Sequence, residues 1–263
     1  MIDSLYIGAS GLVTHQKDVD TVANNLANLN TVAFKKARVA FHDLYQNEMQ
    51  GAAASTQGAD SLSASVPRSP SGVSVGNVER IFSDGELTQT GGALDVAIRG
   101  TGFFEVELPD GSSAFTRNGT FQMNTDRQLV TPEGYLLKQQ IQIPDATTAI
   151  TINPSGLVQA QVDGETGVQD VGQIELSQFV NPASLNALGG GYYTTTESAG
   201  DAQSGNPGEN GLGLLAQGFQ ESSNVQLVDE LVSLMIAQRG YEASSKVVQV
   251  SDDILGMVNN LRR

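Results

Sequence analysis

The chain has 263 residues, 39% of them apolar and 6% aromatic, with 29 glycines and neither cysteine nor tryptophan. This length fits two modest domains with a hydrophobic core, and the lack of cysteine excludes disulfides and thiolate metal sites. The formal net charge is −15, and residues 45–219 hold 19 of the 29 acidic side chains but only six of the 14 basic ones. Nucleic acid is therefore not expected as a partner, because phosphate contacts need clustered lysine and arginine.

The first predicted element is a helix over residues 4–29. Apolar side chains recur there every seven residues, and the later heptads gain a second apolar position, a pattern typical of a helix that packs along another helix. The residues of this seam are Leu5, Leu12, Val19, Val22, Leu26 and Leu29. His15 falls on the same seam, where a packed or interfacial histidine is a simpler interpretation than a base or a metal ligand.

Two segments lack the composition of a packed core. Residues 46–76 are rich in alanine, serine, glycine and glutamine, and residues 198–211 are rich in glycine, serine and asparagine. Such compositions are typical of flexible linkers.

Between these segments the sequence predicts short strands separated by turns. Pro109-Asp110-Gly111 is one such turn, because proline presets its own φ and glycine accepts a positive φ. Short strands at regular spacing, with no helical pattern between them, predict an all-β domain over residues 81–218. The predicted strands are 103–108, 113–117, 120–123, 136–143, 150–152, 158–162, 168–179 and 192–195.

The C-terminal end predicts a second amphipathic helix, over residues 225–261. Its seam residues are Val228, Leu231, Met235, Val247, Val250, Ile254, Met257 and Leu261. Full burial of each apolar side chain contributes about 1.5–3 kcal/mol, so both terminal helices gain stability once a partner covers them. Helices at both ends and strands between them predict the α+β class.

No arrangement of residues indicates catalysis or a cofactor. The two histidines, His15 and His42, lie in separate elements, and Gly100-Thr101-Gly102 is followed by two phenylalanines instead of the lysine or helix of a phosphate loop. Glu105 and Glu107 are interpreted as a solvated strand edge and not as an acid–base pair. We therefore expect neither an enzyme nor a metal or cofactor site.

Three stretches resemble the flagellar rod and hook protein family. The first is ANNLANLNTVAFKK at residues 23–36, the second runs from LDVAIRGTGFF at 94–104 through FTRNG at 115–119, and the third is GFQESSNV at 218–225 with QRGYE at 238–242. Ala33 stands where the family usually has glycine. The matching residues in the first and third stretches include Asn24, Asn25, Leu26, Asn28, Thr31, Phe34, Lys35, Asn224, Val225, Gln238, Arg239, Tyr241 and Glu242.

The resemblance implies a structural subunit of a helical homopolymer. Its terminal helices would pair in coiled-coil-like layers of a hollow tube, with the β-rich middle facing outward. Its partners would be further copies of itself, proximal rod and hook subunits at the ends, and the periplasmic and outer-membrane rings around the rod. Passage through the flagellar export apparatus without a cleaved signal peptide would place it in the rod that crosses the periplasm. Phe41 and Tyr45 resemble an export motif, although a helix tail that packs the two at i, i+4 explains their spacing equally well.

Within this family, the chain length and the segment 45–67 resemble the distal rod subunit, part of the drive shaft that transmits torque to the hook. Another axial subunit, from the proximal rod or the hook, is the alternative. We divide the chain into helical assembly regions at 1–44 and 219–263, an extended insertion at 45–80 and a β-rich outer domain at 81–218. An extracellular β-rich enzyme and a free-standing adhesin are the rival classes. The enzyme would need carboxylates in an aromatic-lined cleft, and the adhesin would need no apolar terminal helices.

Overall fold

A computed structural model describes residues 2–47, 68–163 and 167–261 of the chain. The chain divides into two compact units. The helical unit comprises Met1–Asn25, Ala37–Glu79 and Leu227–Arg263, and the β unit comprises Leu26–Lys36 and Arg80–Gln226. The chain therefore passes from one unit to the other four times.

The helical unit is built on two long helices, α1 (Ile2–Ala27) and α2 (Leu227–Leu261). Three contacts between the helices fix the register of α1 against α2: Gly8 contacts Val248, Gly11 contacts Ser244, and His15 contacts Gly240. Positions rise along α1 as they fall along α2, so the two helices run antiparallel. The predicted α+β class and its two terminal helices are confirmed.

Small side chains line the contact between the two helices. A Cβ atom on Gly8 would lie 2.7 Å from Cγ2 of Val248, and one on Gly11 would lie 2.9 Å from Oγ of Ser244. Real Cβ atoms essentially never approach neighbours so closely, and glycine removes the conflict because it has no Cβ. The helix backbones can therefore approach each other closely.

A two-stranded ribbon, β1 (Ala37–Asn47) with β2 (Arg68–Arg80), follows α1. The backbone N–H of Val73 donates to Oγ of Ser10 at 3.3 Å, which attaches the ribbon to α1. The linker predicted over 46–76 is therefore wrong at its described ends. Strands form there because the two chain segments satisfy each other's backbone hydrogen bonds, which requires no apolar composition. Residues 48–67 lie outside the described residues.

Short antiparallel strands make up the β unit. They are β3 (Leu87–Gln89), β4 (Val96–Arg99), β5 (Phe104–Glu107), β6 (Ser113–Thr116), β7 (Gln122–Met123), β8 (Leu129–Val130), β9 (Leu136–Leu137), β10 (Thr147–Ile152), β11 (Leu157–Val162), β12 (Val168–Gln173), β13 (Leu176–Gln178), β14 (Asn186–Gly189), β15 (Tyr192–Thr194), β16 (Gln203–Gly205), β17 (Leu214–Gln217) and β18 (Phe219–Glu221). A seven-stranded sheet has the order β14-β15-β6-β5-β9-β8-β7, and β10-β11-β12 form a meander. The remaining strands pair as β13-β16, β17-β4 and β18-β3.

Two apolar clusters hold the β unit together. Successive residues of an extended chain point to opposite faces, so Phe104 enters the main core while Phe103 enters a separate aromatic cluster. In that cluster the rings of Phe115 and Phe179 meet edge to face with centroids 4.8 Å apart. Edge-to-face contact is the geometry that aromatic quadrupoles favour.

Two strand predictions need correction. The strand predicted over 136–143 ends at Leu137, because Gln140 has a φ of 45° and turns the chain. The strand predicted over 168–179 is two strands, β12 and β13, which belong to different sheets. The predicted linker at 198–211 contains β16, which pairs with β13.

In the described part of the chain, no helix combines the length and the apolar character that a membrane span needs.

Candidate assembly surface and connecting segments

Large apolar side chains cover the outward face of α2. Val228 is 70% exposed, Ile236 67% and Met257 58%. The other exposed apolar residues of this helix are Leu227, Leu231, Val232, Met235, Tyr241, Val247, Val250, Ile254 and Val258. An ordinary two-helix hairpin buries its large apolar residues, whereas here most of the large apolar residues of α2 are exposed. Exposed apolar surface of this extent indicates an interaction site.

Most of the predicted seam residues of α2 lie on this outward face, and Val247 lies at its border with α1, where its Cγ1 is 3.5 Å from the position of a Cβ on Gly8. All those with described side chains are exposed, and they are Val228, Leu231, Met235, Val247, Val250, Ile254 and Met257. The side chain of Leu261 lies outside the described residues.

The predicted seam of α1 lies mostly inside the structure. Val22 is buried, Leu29 is partly buried in the turn after α1, and the partly buried residues within the helix are Leu5, Leu12, Val19 and Leu26. Among the described side chains of α1, the large apolar residues that are exposed are Tyr6, Ile7 and Val13, which the heptad pattern does not include.

A cleft of about 390 Å³ opens between α1 and α2, lined by Gln16, Val19, Gln238, Tyr241 and Glu242. Arg239, in the same stretch, forms an exposed ion pair with Glu242 at 2.9 Å. Exposed ion pairs contribute little to stability. We therefore interpret these side chains as part of a binding surface and not as a stabilising feature of the fold.

Asn25 ties three parts of the helical unit together. Its Nδ2 donates to the carbonyl oxygen of Ala37 at 2.8 Å, and the N–H of Ala37 donates to Oδ1 of Asn25 at 2.9 Å. Nδ2 also donates to Oε2 of Glu230 at 3.1 Å. The side chain is buried, and these bonds satisfy its donor and acceptor groups. Asn25 therefore fixes the start of β1 and the first turn of α2 to the end of α1.

Asn224 has an equivalent role in the β unit. Its Oδ1 accepts from the N–H of Lys36 at 2.8 Å, and its Nδ2 donates to the carbonyl oxygen of Ile81 at 2.7 Å. Its own N–H donates to the carbonyl oxygen of Phe34 at 3.3 Å. These bonds join two connecting segments, which we call the N-terminal strap (residues 33–36) and the C-terminal strap (residues 219–225).

A buried ion cluster holds the same two straps. Oε1 of Glu221 accepts from Nζ of Lys35 at 2.6 Å, and Oε2 accepts from Nε of Arg117 at 2.8 Å. All three side chains are at most 2% exposed. Glu221 also accepts from the N–H of Gly85 at 2.8 Å, and Asp84, which is half exposed, accepts from Nη2 of Arg117 at 3.2 Å. Each buried charge thus has both a counter-charge and further hydrogen bonds, the conditions under which burial of ions is tolerated.

The cluster shifts the titration of its own members. Burial lowers the pKa of Lys35 below its ordinary value, and the charge of Arg117 adds to this effect, which Glu221 opposes. Burial acts to raise the pKa of Glu221, but the charges of Arg117 and Lys35 outweigh it and hold that pKa below its ordinary value. Glu221 is therefore ionised at neutral pH.

Ala33, in the N-terminal strap, adopts a left-handed backbone conformation with a φ of 56°. Its N–H donates to the carbonyl oxygen of Glu221 at 2.8 Å. This conformation costs about 1–2 kcal/mol for a residue with a Cβ, which explains why glycine suits the position.

Within the described ranges, no three histidine, aspartate or glutamate side chains come together as metal ligands.

Three family profiles match the chain. The flagella basal body rod protein profile matches residues 5–35, the flagellar hook protein FlgE/F/G D1 domain profile matches residues 97–160, and the flagellar basal body rod FlgEFG protein C-terminal profile matches residues 216–261. The chain is 40% identical to flagellar basal-body rod protein FlgG of Borreliella burgdorferi over 266 residues, and 38% identical to that of Bacillus subtilis over 268 residues. Both alignments cover 100% of each chain. The chain belongs to the FlgG family of flagellar basal-body rod proteins. It is also 35% identical to flagellar basal-body rod protein FlgF of Caulobacter vibrioides, over 94% of this chain and 93% of the relative.

Each of the three regions matched in this FlgG-family chain contributes one residue to the buried ion cluster. Lys35 comes from the first region, Arg117 from the second and Glu221 from the third. Sequence patterns alone do not predict Arg117 or Glu221 as site residues. Both nevertheless lie in stretches that carry the family resemblance, which is the one signal in the sequence that points to them.

The prediction that Glu105 lies on a solvated strand edge is wrong. This side chain is buried, and its carboxylate accepts from Nζ of Lys138 at 2.7 Å. Glu107 is exposed, as expected. The ion pair with the lysine replaces the hydration that an exposed carboxylate would have. The sequence does not reveal this pairing, because the two residues are 33 positions apart.

Phe41 and Tyr45 lie in β1, so the helix-tail interpretation of their spacing is wrong. Phe41 is exposed, and the side chain of Tyr45 lies outside the described residues.

Proposed function

We propose that this chain polymerises into the hollow distal rod of the flagellar basal body, and that the outward face of α2 is its main interface with further copies. The distribution of side chains on the helix pair supports this. Small residues line part of the contact between α1 and α2, and no described part of the chain covers the large apolar residues of α2, so another copy of the chain would bury them. The predicted residues of α1 support the pair from inside, and Tyr6, Ile7 and Val13 extend the interface on the outside.

A second copy is a suitable occupant because the chain ends carry little net charge. Residues 1–44 hold four acidic and four basic side chains, and residues 220–263 hold six and four. Copies can therefore bring these ends together without strong repulsion. Residues 45–219 carry most of the negative charge and suit the outer surface of a polymer.

The proposed rod transmits torque from the motor to the hook, and its lumen forms part of the export channel. Proximal rod and hook subunits adjoin its ends, and the periplasmic and outer-membrane rings surround it. The assembly regions at 1–44 and 219–263 form the tube, the region 81–218 faces outward, and the insertion at 45–80 lies between neighbouring copies. A proximal rod or hook subunit is the alternative. The higher identity to FlgG than to the FlgF relative, over the full length, favours the distal rod.

This role is structural and needs no catalytic residues. We further propose that the subunit leaves the cell through the flagellar export apparatus without a cleaved signal peptide, with Phe41 and Tyr45 as part of the recognised segment. A Phe41→Ala variant should then accumulate inside the cell. If Phe41→Ala is secreted like the parent, Phe41 has no part in export.

Electron microscopy of the purified chain at rising concentration tests the proposed polymer. We expect straight hollow filaments above a threshold concentration. Monomers or irregular aggregates at every concentration, in the presence of short rod fragments as seeds, would contradict the proposal.

A further inference from the structure

One residue, Glu221, holds both straps. Through its side chain it binds Lys35 of the N-terminal strap, and through its carbonyl oxygen it accepts from Ala33 of the same strap. Glu221 is itself part of the C-terminal strap. Arg117 anchors it to the interior, because Nη1 and Nη2 of Arg117 donate to the carbonyl oxygens of Gly102 and Gly100.

The surroundings of Glu221 contain more positive than negative charge. Lys35 and Arg117 face it from two sides with their side chains buried, whereas Asp84 lies at the solvent edge. Arg80 also approaches, with its guanidinium 5.7 Å from the ring centroid of Tyr193, whose hydroxyl is held neutral because burial raises its pKa. Without the negative charge of Glu221, two buried cations would face each other with no buried anion between them. Buried cations without a counter-charge are strongly destabilising.

Every contact that would fail includes a strap residue, because each is made by the side chain of Glu221. Beyond the cluster, the straps are held by backbone bonds such as that from Ser222 N–H to the carbonyl oxygen of Glu86 at 2.8 Å, and by Asn224. The main core, around Phe104, Val106 and Leu137, contains no residue of either strap. The cluster can therefore open without removing an apolar side chain from that core.

We propose that Glu221 is an acid-sensitive lock, whose charge fastens the two straps to each other and to the rest of the β unit, and whose protonation releases both while the main β core stays folded. The direction of its pKa agrees with this. The folded-state pKa lies below the ordinary value of 4.5, so the stability it contributes is present above pH 4.5 and is lost as the pH falls through the lower, folded-state value. The lock acts within one chain and does not depend on polymerisation.

Hydrogen exchange of the full-length monomer, measured by mass spectrometry, tests the lock. At pH 7 the Glu221→Gln variant keeps the shape of the side chain but lacks its charge, and we expect the strap amides of Ala33, Ser222 and Asn224 to exchange roughly 10- to 100-fold faster than in the parent. Amides of β5 and β6 should exchange at the parent rate. The matched control is Glu105→Gln, which neutralises another buried carboxylate with a lysine partner but touches neither strap.

An acid series of the unaltered chain gives an independent measurement that does not rely on a variant folding. With rates normalised to intrinsic exchange at each pH, strap amides should lose protection below pH 4.5 before the β5 and β6 amides do. Lys35→Met removes one cation that holds Glu221 ionised, so its transition should move to higher pH. The lock is refuted if straps and core lose protection together, or if Glu221→Gln exchanges like the parent. It is also refuted if Glu105→Gln releases the straps equally.

Discussion

Gly240 of α2 lies against the imidazole ring of His15 of α1, and a Cβ atom at position 240 would lie 2.6 Å from Cε1 of that ring. Gly240→Ala should therefore push the two helices apart or force His15 from its place. We expect the variant to lower the free energy of unfolding of the helical unit by about 1–3 kcal/mol, the usual cost of overpacking. Urea unfolding followed by far-ultraviolet circular dichroism, which reports the helix content, measures the change.

Gly256, in the same helix, provides the control for that substitution. A Cβ there meets nothing within 4 Å. Gly256→Ala should stabilise α2 by about 0.5–1 kcal/mol, because alanine has the better helix propensity. Equal effects at both positions would show that helix propensity, and not the contact with His15, determines the outcome at position 240.

Ile236→Asp should separate folding from assembly. This side chain is 67% exposed on the outward face of α2, so the monomer should keep its stability to within about 0.5 kcal/mol. A polymer that buries this face would have to desolvate the new charge, and filaments should be absent in micrographs. Val180→Asp, at an exposed site in the β unit, is the matched control and should polymerise. Normal filaments from Ile236→Asp would place the interface elsewhere.

Asn25→Asp should weaken the helical unit far more than Asn24→Asp, its exposed neighbour. The new carboxylate would lie close to that of Glu230, which is 3.1 Å from Nδ2 of Asn25 in the parent, and the donor to Ala37 would be lost. We expect a loss of about 3 kcal/mol in the free energy of unfolding at pH 7. The loss should shrink in acid, where one of the two carboxyls takes up a proton. A loss that does not depend on pH would indicate that the missing donor alone is responsible.

A chain that lacks residues 46–62 should still polymerise, but into filaments of a different shape. If this insertion lies between neighbouring copies, its removal abolishes contacts that oppose sliding of one copy past the next. Micrographs should then show curved or more flexible filaments. A same-length replacement by glycine and serine is the control for spacing alone. Filaments as straight and stiff as those of the parent would show that the segment is only a linker.

Periodic patterns predict the helices well, whereas composition predicts the segments around them poorly. The heptads of leucine and valine locate both helices to within a few residues, because apolar side chains seldom recur every seven residues outside a helix. Composition does not reveal the ribbon β1–β2, whose stability comes from backbone pairing and leaves no apolar signature. Composition likewise does not reveal β16, which is held by backbone pairing with β13.

The heptad seam identifies the inward face of α1 but not that of α2, whose seam residues are exposed. Large apolar residues are usually buried, so the pattern in α2 does not place Gly240 against α1. Glycine ordinarily destabilises a helix. Its advantage here, the close approach of the two helix backbones, becomes visible only when the neighbouring helix is present.

The antiparallel register has a practical consequence for anyone who wishes to purify or label this protein. Because Gly8 lies beside Val248, the first turns of α1 and the last turns of α2 lie at the same end of the pair, so an affinity tag on either terminus would crowd the same place. That place includes Ile254, Met257 and Val258, part of the surface we propose for assembly. Fluorophores and tags belong in the exposed turn around Gly111, at Ser112 or Ser113 and not at the glycine itself, because the φ of 79° at Gly111 disfavours any side chain. The absence of native cysteine means that one introduced thiol there would be the single labelling site.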